Sequence, residues 1–327
     1  LTKDNLIKYI KKFMPLIGIA LLIFLIVNIG IDKIASTFLR LSPIYIIAAA
    51  SLTIPRLIII NFQWQLILKK QKIHISYIKS LKIYLMSYFY ASITPGYIGQ
   101  LMRIPYLKDE TNEPFGKLFV NTFVQTSLHT LSLYCMMIIG TFLVIDKIPQ
   151  LFPLACAYLL VTIIIYIYFL KRERGEKTLY FLVRLFIPKS MKPHLTKFVD
   201  TFYKDFPSIR DFILPFIVAI PEWILIFSQI YIIGLSLNIQ IPYFTFLMLY
   251  SIANVVSFIP ITAAGLGTRE ATLILLFSFY GVAPEETLVI SLAGYLLTDL
   301  LTGFYGIIIS ISEAGNNKKS VKIKNSS

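Results

Sequence analysis

The residues in this chain that can do chemistry are charges set inside apolar runs. Arg56 and Glu222 sit beside Pro55 and Pro221. His129 and Asp299 fall near the middle of long apolar stretches, and Arg103, Arg269 and Glu270 follow breaks rich in Thr, Pro and Gly. At the centre of a hydrocarbon layer such a charge costs at least about 2.5–3.5 kcal/mol, so each must face a protein interior or a wet cavity and find a partner there. Arg103 and Arg269 are the most informative. Each lies within about two turns of the expected start of a short helix, near Gly96–Gly99 and near Gly265–Thr268. A helix start leaves unpaired N–H groups and a partial positive charge. Glycine admits close approach of a ligand, and Thr94, Thr262 and Thr268 can cap or donate. With an arginine added, these parts make an anion site, and in a membrane the natural anion is a phosphate head group. The expected head-group set is Thr94, Gly96, Gly99, Arg103, Thr262, Gly265, Gly267, Thr268, Arg269 and Glu270. Arg56, His129, Glu222 and Asp299 are secondary polar positions.

A structural role competes with each assignment. Arg269 can pair with Asp299 or Glu222, and Arg103 with a backbone carbonyl, only to hold the fold. Glu270 either neutralises Arg269 or couples to a proton. His129 either relays protons or hydrogen-bonds between helices. No catalytic constellation is legible: the sequence has no His and Cys spacing for a metal, no serine nucleophile elbow and no Walker loop. Gly265-Leu266-Gly267 lacks the preceding strand of a nucleotide fingerprint. Cys135 and Cys156 fall in apolar runs as buried thiols. No catalytic residue, metal or cofactor is assigned, and any chemistry would have to occur inside the membrane.

Positioning these charges falls to helices. Of the 327 residues, 57% are hydrophobic and 15% charged, with a mean hydropathy of +0.74; a soluble domain carries about a quarter charged residues. The runs are continuously apolar, which excludes a β-barrel with its alternating strands. The expected fold is an all-α polytopic integral membrane protein. Full spans are expected at Phe13–Ile31, Ser42–Ile67, Lys117–Ile145, Leu151–Leu170, Phe212–Gly234 and Glu285–Ile311, each long enough to cross about 30 Å. Two other stretches break. Leu81–Ile93 stops at Thr94-Pro95-Gly96 and resumes over Tyr97–Leu107; Tyr243–Ile259 stops at Pro260 and resumes over Thr268–Tyr280. Pro and Gly end helices, so each stretch is read as a re-entrant helical hairpin.

The net charge of +14 would indicate nucleic-acid binding in a soluble protein. Here the basic residues cluster between apolar runs, in Leu1–Lys12, Leu68–Lys82, Lys171–Arg210 and Glu313–Ser327. Asp146–Gln150, Ser236–Pro242 and Gly281–Glu286 are neutral or acidic, and Asp32–Arg40 is nearly so. The positive-inside rule then places both termini in the cytoplasm of a multi-pass cell-membrane protein, with no nucleic-acid partner. This holds if the first hairpin enters and leaves on the inside, with Lys108–Lys117 there too, and the second on the outside. The order helix, helix, hairpin, helix then runs twice, the second time inverted. One transmembrane domain, 1–327, divides into 1–150 and 151–327, and inverted repeats with broken helices are a transporter signature. Within Lys171–Arg210, residues Leu195, Phe198, Val199, Phe202, Tyr203 and Phe206 share one helical face, which suits an amphipathic helix on the cytoplasmic leaflet. The Lys-rich tail after Asn316 is expected to be disordered.

The breaks carry a family resemblance. Thr94-Pro95-Gly96-Tyr97-Ile98-Gly99-Gln100-Leu101-Met102-Arg103 resembles the first motif of the transmembrane region of lysylphosphatidylglycerol synthases and related flippase-like membrane proteins. Pro260-Ile261-Thr262-Ala263-Ala264-Gly265-Leu266-Gly267-Thr268-Arg269-Glu270 resembles the second, and Gly281-Val282-Ala283-Pro284-Glu285-Glu286 is similar to the short loop that follows it. The first motif often has an acidic residue where Gln100 stands. In the synthases this region is fused to a soluble aminoacylating domain, and in some archaeal relatives to a glycosyltransferase; neither is expected here. The resemblance implies the lipid-handling half alone: movement of an anionic phospholipid or polyprenyl-linked lipid between leaflets, with Arg103, Arg269 and Glu270 carried over. The alternatives are a membrane-embedded transferase using Asp299 or Glu270 as base, and a non-catalytic anchor that binds a soluble lipid-modifying enzyme through Lys171–Arg210.

Overall fold

In lipid a backbone amide has no water to bond, so continuously apolar runs must satisfy their polar groups within helices. The computed structural model describes residues 19–170, 175–178, 193–204, 206–258 and 265–324. Every element within them is helical, and no strand occurs among them. In chain order the helices are α1 (Ile19–Ile29) and α2 (Ile31–Leu39), which meet at 85°, then α3 (Pro43–Ser51), α4 (Thr53–Lys70) and α5 (Tyr77–Ile93). A 3₁₀ stretch, Pro95–Met102, leads into α6 (Arg103–Thr111), α7 (Phe115–Leu143) and α8 (Leu151–Leu170). After α9 (Pro193–Lys204) come α10 (Ile209–Ser236), α11 (Tyr243–Ser257), α12 (Thr268–Ser278) and α13 (Pro284–Tyr295). A π turn, Leu296–Leu300, joins α13 to α14 (Leu301–Lys324). Among the described residues, five helical stretches are long and apolar enough to cross a membrane, or six if the bent pair α1–α2 counts as one span. Pro43–Lys70, Phe115–Leu143, Leu151–Phe169, Arg210–Ser236 and Pro284–Glu313 fall where the apolar runs place them.

Three expectations are corrected. The segment Asp32–Arg40 is not a loop: α2 packs against α13, and Arg40 Nη1 donates to Glu286 Oε1 at 3.4 Å. Its Ile31, Ile34 and Phe38 keep helical spacing, which the flanking charges obscure. The tail after Asn316 continues α14 to Lys324. The apolar face of α9 packs on protein. Val199 and Phe202 are buried, and Phe202 joins Val120, Val124 and Leu128 of α7 in one cluster. The start of the first expected span, most of Lys171–Arg210 before α9, and residues 259–264 with Thr262 lie outside the described residues.

Ion pairs mark the two ends of the bundle. At one end Ser42 N–H donates to Ser236 Oγ at 2.7 Å, beside the Arg40–Glu286 pair. At the other end Lys70 meets Asp211 at 2.8 Å, Lys79 meets Glu110 at 2.6 Å and Lys82 meets Glu313 at 2.6 Å. Lys79 begins α5 and Glu110 ends α6, so the first broken stretch starts and finishes at one end. Between those points the 3₁₀ stretch folds back on α5: a Cβ placed on Gly99 would lie 2.1 Å from the Tyr90 carbonyl oxygen. In the second broken stretch α12 packs back along α11. Gly265 (φ +73°) lies against Ser257, where a Cβ would meet Ser257 Cβ at 2.1 Å. No larger residue fits either approach.

Candidate functional site: a charged cavity between the two breaks

A cavity of about 370 Å³ opens between the broken stretches and α4, α7 and α10. Its wall carries Arg56, Arg103, His129, Glu222, Arg269 and Asp299. Every intramembrane charge singled out in the sequence therefore lines it, except Glu270.

The charges differ sharply in how they are neutralised. Arg269, on the first turn of α12, has a carboxylate beside it. Its Nη2 and Nε donate to Glu270 Oε1 at 2.8 and 3.1 Å, and Nε also reaches Ser291 Oγ at 3.0 Å. Ser291 in turn donates to Glu270 Oε1 at 2.8 Å. The other Glu270 oxygen accepts from the N–H of Gly267, so the N3 carboxylate caps the start of α12. Arg103, at the start of α6, is fully buried and, among the described residues, touches no carboxylate. Nη1 donates to Gln125 Oε1 at 2.6 Å, and the guanidinium lies over the rings of Trp64 and Tyr84 at 4.9 and 5.2 Å. Its Nε and Nη2 have no partner. Desolvated cation–π contacts are worth about 2 kcal/mol each, but they leave those two donors unmade.

Arg56 is also held without a carboxylate. Its Nη2 donates to the Thr298 carbonyl at 3.0 Å and to Thr302 Oγ1, while Nε is buried and unpartnered. The π turn Leu296–Leu300 makes this contact, because widening the helix frees a carbonyl for a side chain. Asp299 on the same turn accepts from three hydroxyls: Tyr88 at 2.8 Å, Tyr97 at 3.3 Å and Thr298 at 2.8 Å. Tyr97 reaches it from a left-handed backbone, φ +55°, with its ring edge on Phe258 at 5.7 Å. His129 Nε2 lies 2.5 Å from Glu222 Oε2. The imidazole stacks on Trp223 at 4.3 Å, and the Trp223 indole N–H donates to the His129 carbonyl.

The half-helix tips are filled from within. Gly99 N–H donates to Thr94 Oγ1 at 2.8 Å, Thr94 donates on to the Tyr90 carbonyl, and Thr268 donates to the Gly265 carbonyl. Gly267 N–H is taken by Glu270. Gly96 lies in the 3₁₀ stretch. Thr94, Gly99, Gly265, Gly267, Thr268 and Glu270 therefore shape the two turns, while the arginines that follow reach the cavity. The sequence reading passed over Tyr88, Tyr97, Gln63 and Gln125. Gln125 relays Arg103 to Gln63, which bonds the Pro215 carbonyl of α10. The signal was available: amides inside apolar runs seek interhelical partners.

A family profile described as the lysylphosphatidylglycerol synthase TM region matches residues 14–306. The chain is similar to a UPF0104 membrane protein of Methanocaldococcus jannaschii, 23% identical over 313 residues that cover 91% of this chain and 93% of the relative. A UPF0104 membrane protein of Pyrococcus horikoshii is 21% identical over 90% of this chain and 93% of its own. One from Methanothermobacter thermautotrophicus is 23% identical over 36% of this chain and 34% of its own.

Proposed function

The chain belongs to the lysylphosphatidylglycerol synthase transmembrane-region family, and we propose that it moves an anionic phospholipid or polyprenyl-linked lipid between leaflets with the head group in the charged cavity. The observation that carries this reading is Arg103: a buried guanidinium on the cavity wall with no carboxylate in contact and two N–H donors unmade. A buried cation with no anion in contact is costly, and a phosphate oxygen supplies both that contact and the missing acceptors. Arg56, with its own unmade donor, stands on the same wall. The cavity has the liquid volume of about a dozen waters, the scale of a head group and far less than a whole lipid. Ile98 and Leu101 on its rim are 62% and 42% exposed, so acyl or prenyl chains can stay in hydrocarbon while the head group enters.

We read the broken stretches as two re-entrant hairpins in an inverted repeat, which would give that head group a path, and two sets of contacts support this reading. The first broken stretch begins and ends at the Lys79–Glu110 end of the bundle. The loop before α11 and the start of α13 both lie near Ser42 and Arg40 at the opposite end. The basic residues Lys70, Lys79 and Lys82 share the first of these ends, which the positive-inside rule makes cytoplasmic in the cell membrane. A transferase using Asp299 as base has less support. Three hydroxyls already donate to that carboxylate, so its oxygens are engaged within the protein and not presented to a substrate.

Reconstitution tests the reading. Vesicles containing the protein should equilibrate tail-labelled phosphatidylglycerol between leaflets faster than empty vesicles. Arg103→Met should slow this by about tenfold to a hundredfold, the worth of one charge-assisted hydrogen bond. Transport equal to that of empty vesicles, or untouched by the substitution in a folded protein, rules the reading out.

A further inference from the structure

The charges of the cavity balance only while it is empty. Among the described residues the guanidinium groups of Arg56, Arg103 and Arg269 line it, against the carboxylates of Glu222 and Asp299 and of Glu270 behind Arg269. The other titratable groups facing it are phenols, neutral at physiological pH: Tyr84 and Tyr88 from α5, Tyr97 from the 3₁₀ stretch, Tyr134 from α7 and Tyr250 from α11. Against the outer side of α7, α8 brings Tyr158 to Tyr134, and α9 turns Asp200 and Lys204 outward. Of the described residues on the cavity wall, only His129 ordinarily changes charge between pH 5 and 8.

With His129 neutral, three cations face three anions. A phosphodiester seated on Arg103 leaves one negative charge in excess, and low dielectric makes an uncompensated charge expensive. His129 sits between a carboxylate and an aromatic face. Glu222 Oε2 lies 2.5 Å from Nε2, and the Trp223 face, which attracts a cation, lies under the ring. In the empty cavity the unpaired Arg103 and Arg56 oppose that extra positive charge. An anion on Arg103 removes the opposition.

We infer that entry of a head group with one net negative charge draws one proton from water onto the His129–Glu222 pair, so that lipid and proton occupy the cavity together. This rests on the lipid-moving reading and names the ion that accompanies its cargo. The loaded cavity is then neutral, and crossing does no work against the membrane potential. Linkage fixes the sign. Where binding takes up a proton, affinity for an anionic head group falls as pH rises, by up to about tenfold per pH unit. A zwitterionic head group brings no net charge and draws no proton.

Calorimetric titration of the purified protein in detergent tests this, with dihexanoyl phosphatidylglycerol and dihexanoyl phosphatidylcholine as probes. Repeating each titration near neutral pH in buffers of different ionisation enthalpy reads the protons taken up. The expected result is close to one proton per phosphatidylglycerol and none per phosphatidylcholine, with His129→Gln binding phosphatidylglycerol without uptake. The inference is overturned by phosphatidylglycerol binding to the wild-type protein without uptake, by equal uptake with both lipids, or by unchanged uptake in His129→Gln. The wild-type stoichiometry stands alone, so a variant that fails to fold does not stop the test. Binding of neither lipid would overturn the lipid-moving reading, and this inference with it.

Discussion

The two breaks of the chain end alike and are finished differently. Each turns on a glycine pressed against the preceding helix, Gly99 on Tyr90 and Gly265 on Ser257. Each leads into a helix that carries a buried arginine near its start. At the second break the next residue is Glu270, which binds Arg269, the Gly267 N–H and Ser291 at once. At the first, Arg103 has an amide, two aromatic faces and two unmade donors. The second break is thus a closed electrostatic unit that fixes a turn, and the first keeps binding capacity in reserve. On the lipid-moving reading, similar backbone devices serve rigidity at one break and recognition at the other, and the difference lies in one carboxylate.

The largest expected effect follows from that carboxylate. Glu270→Gln strands a buried guanidinium and weakens the cap on the Gly267 N–H, so thermal unfolding in detergent should show a loss of about 3–5 kcal/mol. Arg269→Met together with Glu270→Gln should recover most of it, since the pair leaves together. If Glu270→Gln unfolds with the wild type, the second break is not locked in this way. Next in size is Gly265→Ala, which adds a methyl where Ser257 stands and strains a left-handed backbone. About 1–3 kcal/mol of overpacking and a further 1–2 kcal/mol, roughly, for the conformation should appear in the same measurement. Gly99→Ala should cost only the overpacking part.

Arg103→Met separates the halves most cleanly. No contacting carboxylate is stranded, so thermal unfolding should show a clearly smaller loss than Glu270→Gln gives, because losing the ring contacts is partly offset by removing a buried guanidinium with unmade donors. Lipid movement should nevertheless fall. A loss of stability as large as that of Glu270→Gln would place Arg103 among the structural residues and erase the contrast.

Much of this arrangement is legible in the chain. Apolar run length places five spans, and Pro and Gly place both breaks. The cost of a charge in hydrocarbon selects the residues that meet in the cavity. Which arginine is neutralised is harder to read. Glu270 is adjacent to Arg269 in sequence, but the partner of Arg103 is an amide more than twenty residues away on α7, and periodicity carries no information about that pairing. The π turn at Leu296–Leu300 is invisible for a similar reason: it widens a helix whose apolar pattern continues unbroken. The segment Asp32–Arg40 misleads because its end charges outweigh a short apolar face. The apolar stripe of α9 is equally suited to lipid and to α7, and only the packing of Phe202 decides.

The smallest expected effect tests how the first break is tied to the second half of the chain. Tyr97 extends from the 3₁₀ stretch to Asp299, and its 3.3 Å bond is the longest of the three that carboxylate accepts. Tyr97→Phe keeps the edge contact with Phe258 and the strained φ, and it leaves Tyr88 and Thr298 on the carboxylate. Its cost should sit near the lower end of the usual 0.5–1.5 kcal/mol, roughly, for a hydrogen bond. Tyr88→Phe, which loses the 2.8 Å bond, should cost more. The reverse order in thermal unfolding would mean that the Tyr97 hydroxyl, not ring packing on Phe258, anchors the first break. The strain at Tyr97 would then be held by Asp299, and an anionic head group that took the Tyr97 hydroxyl from Asp299 would release the turn carrying Arg103.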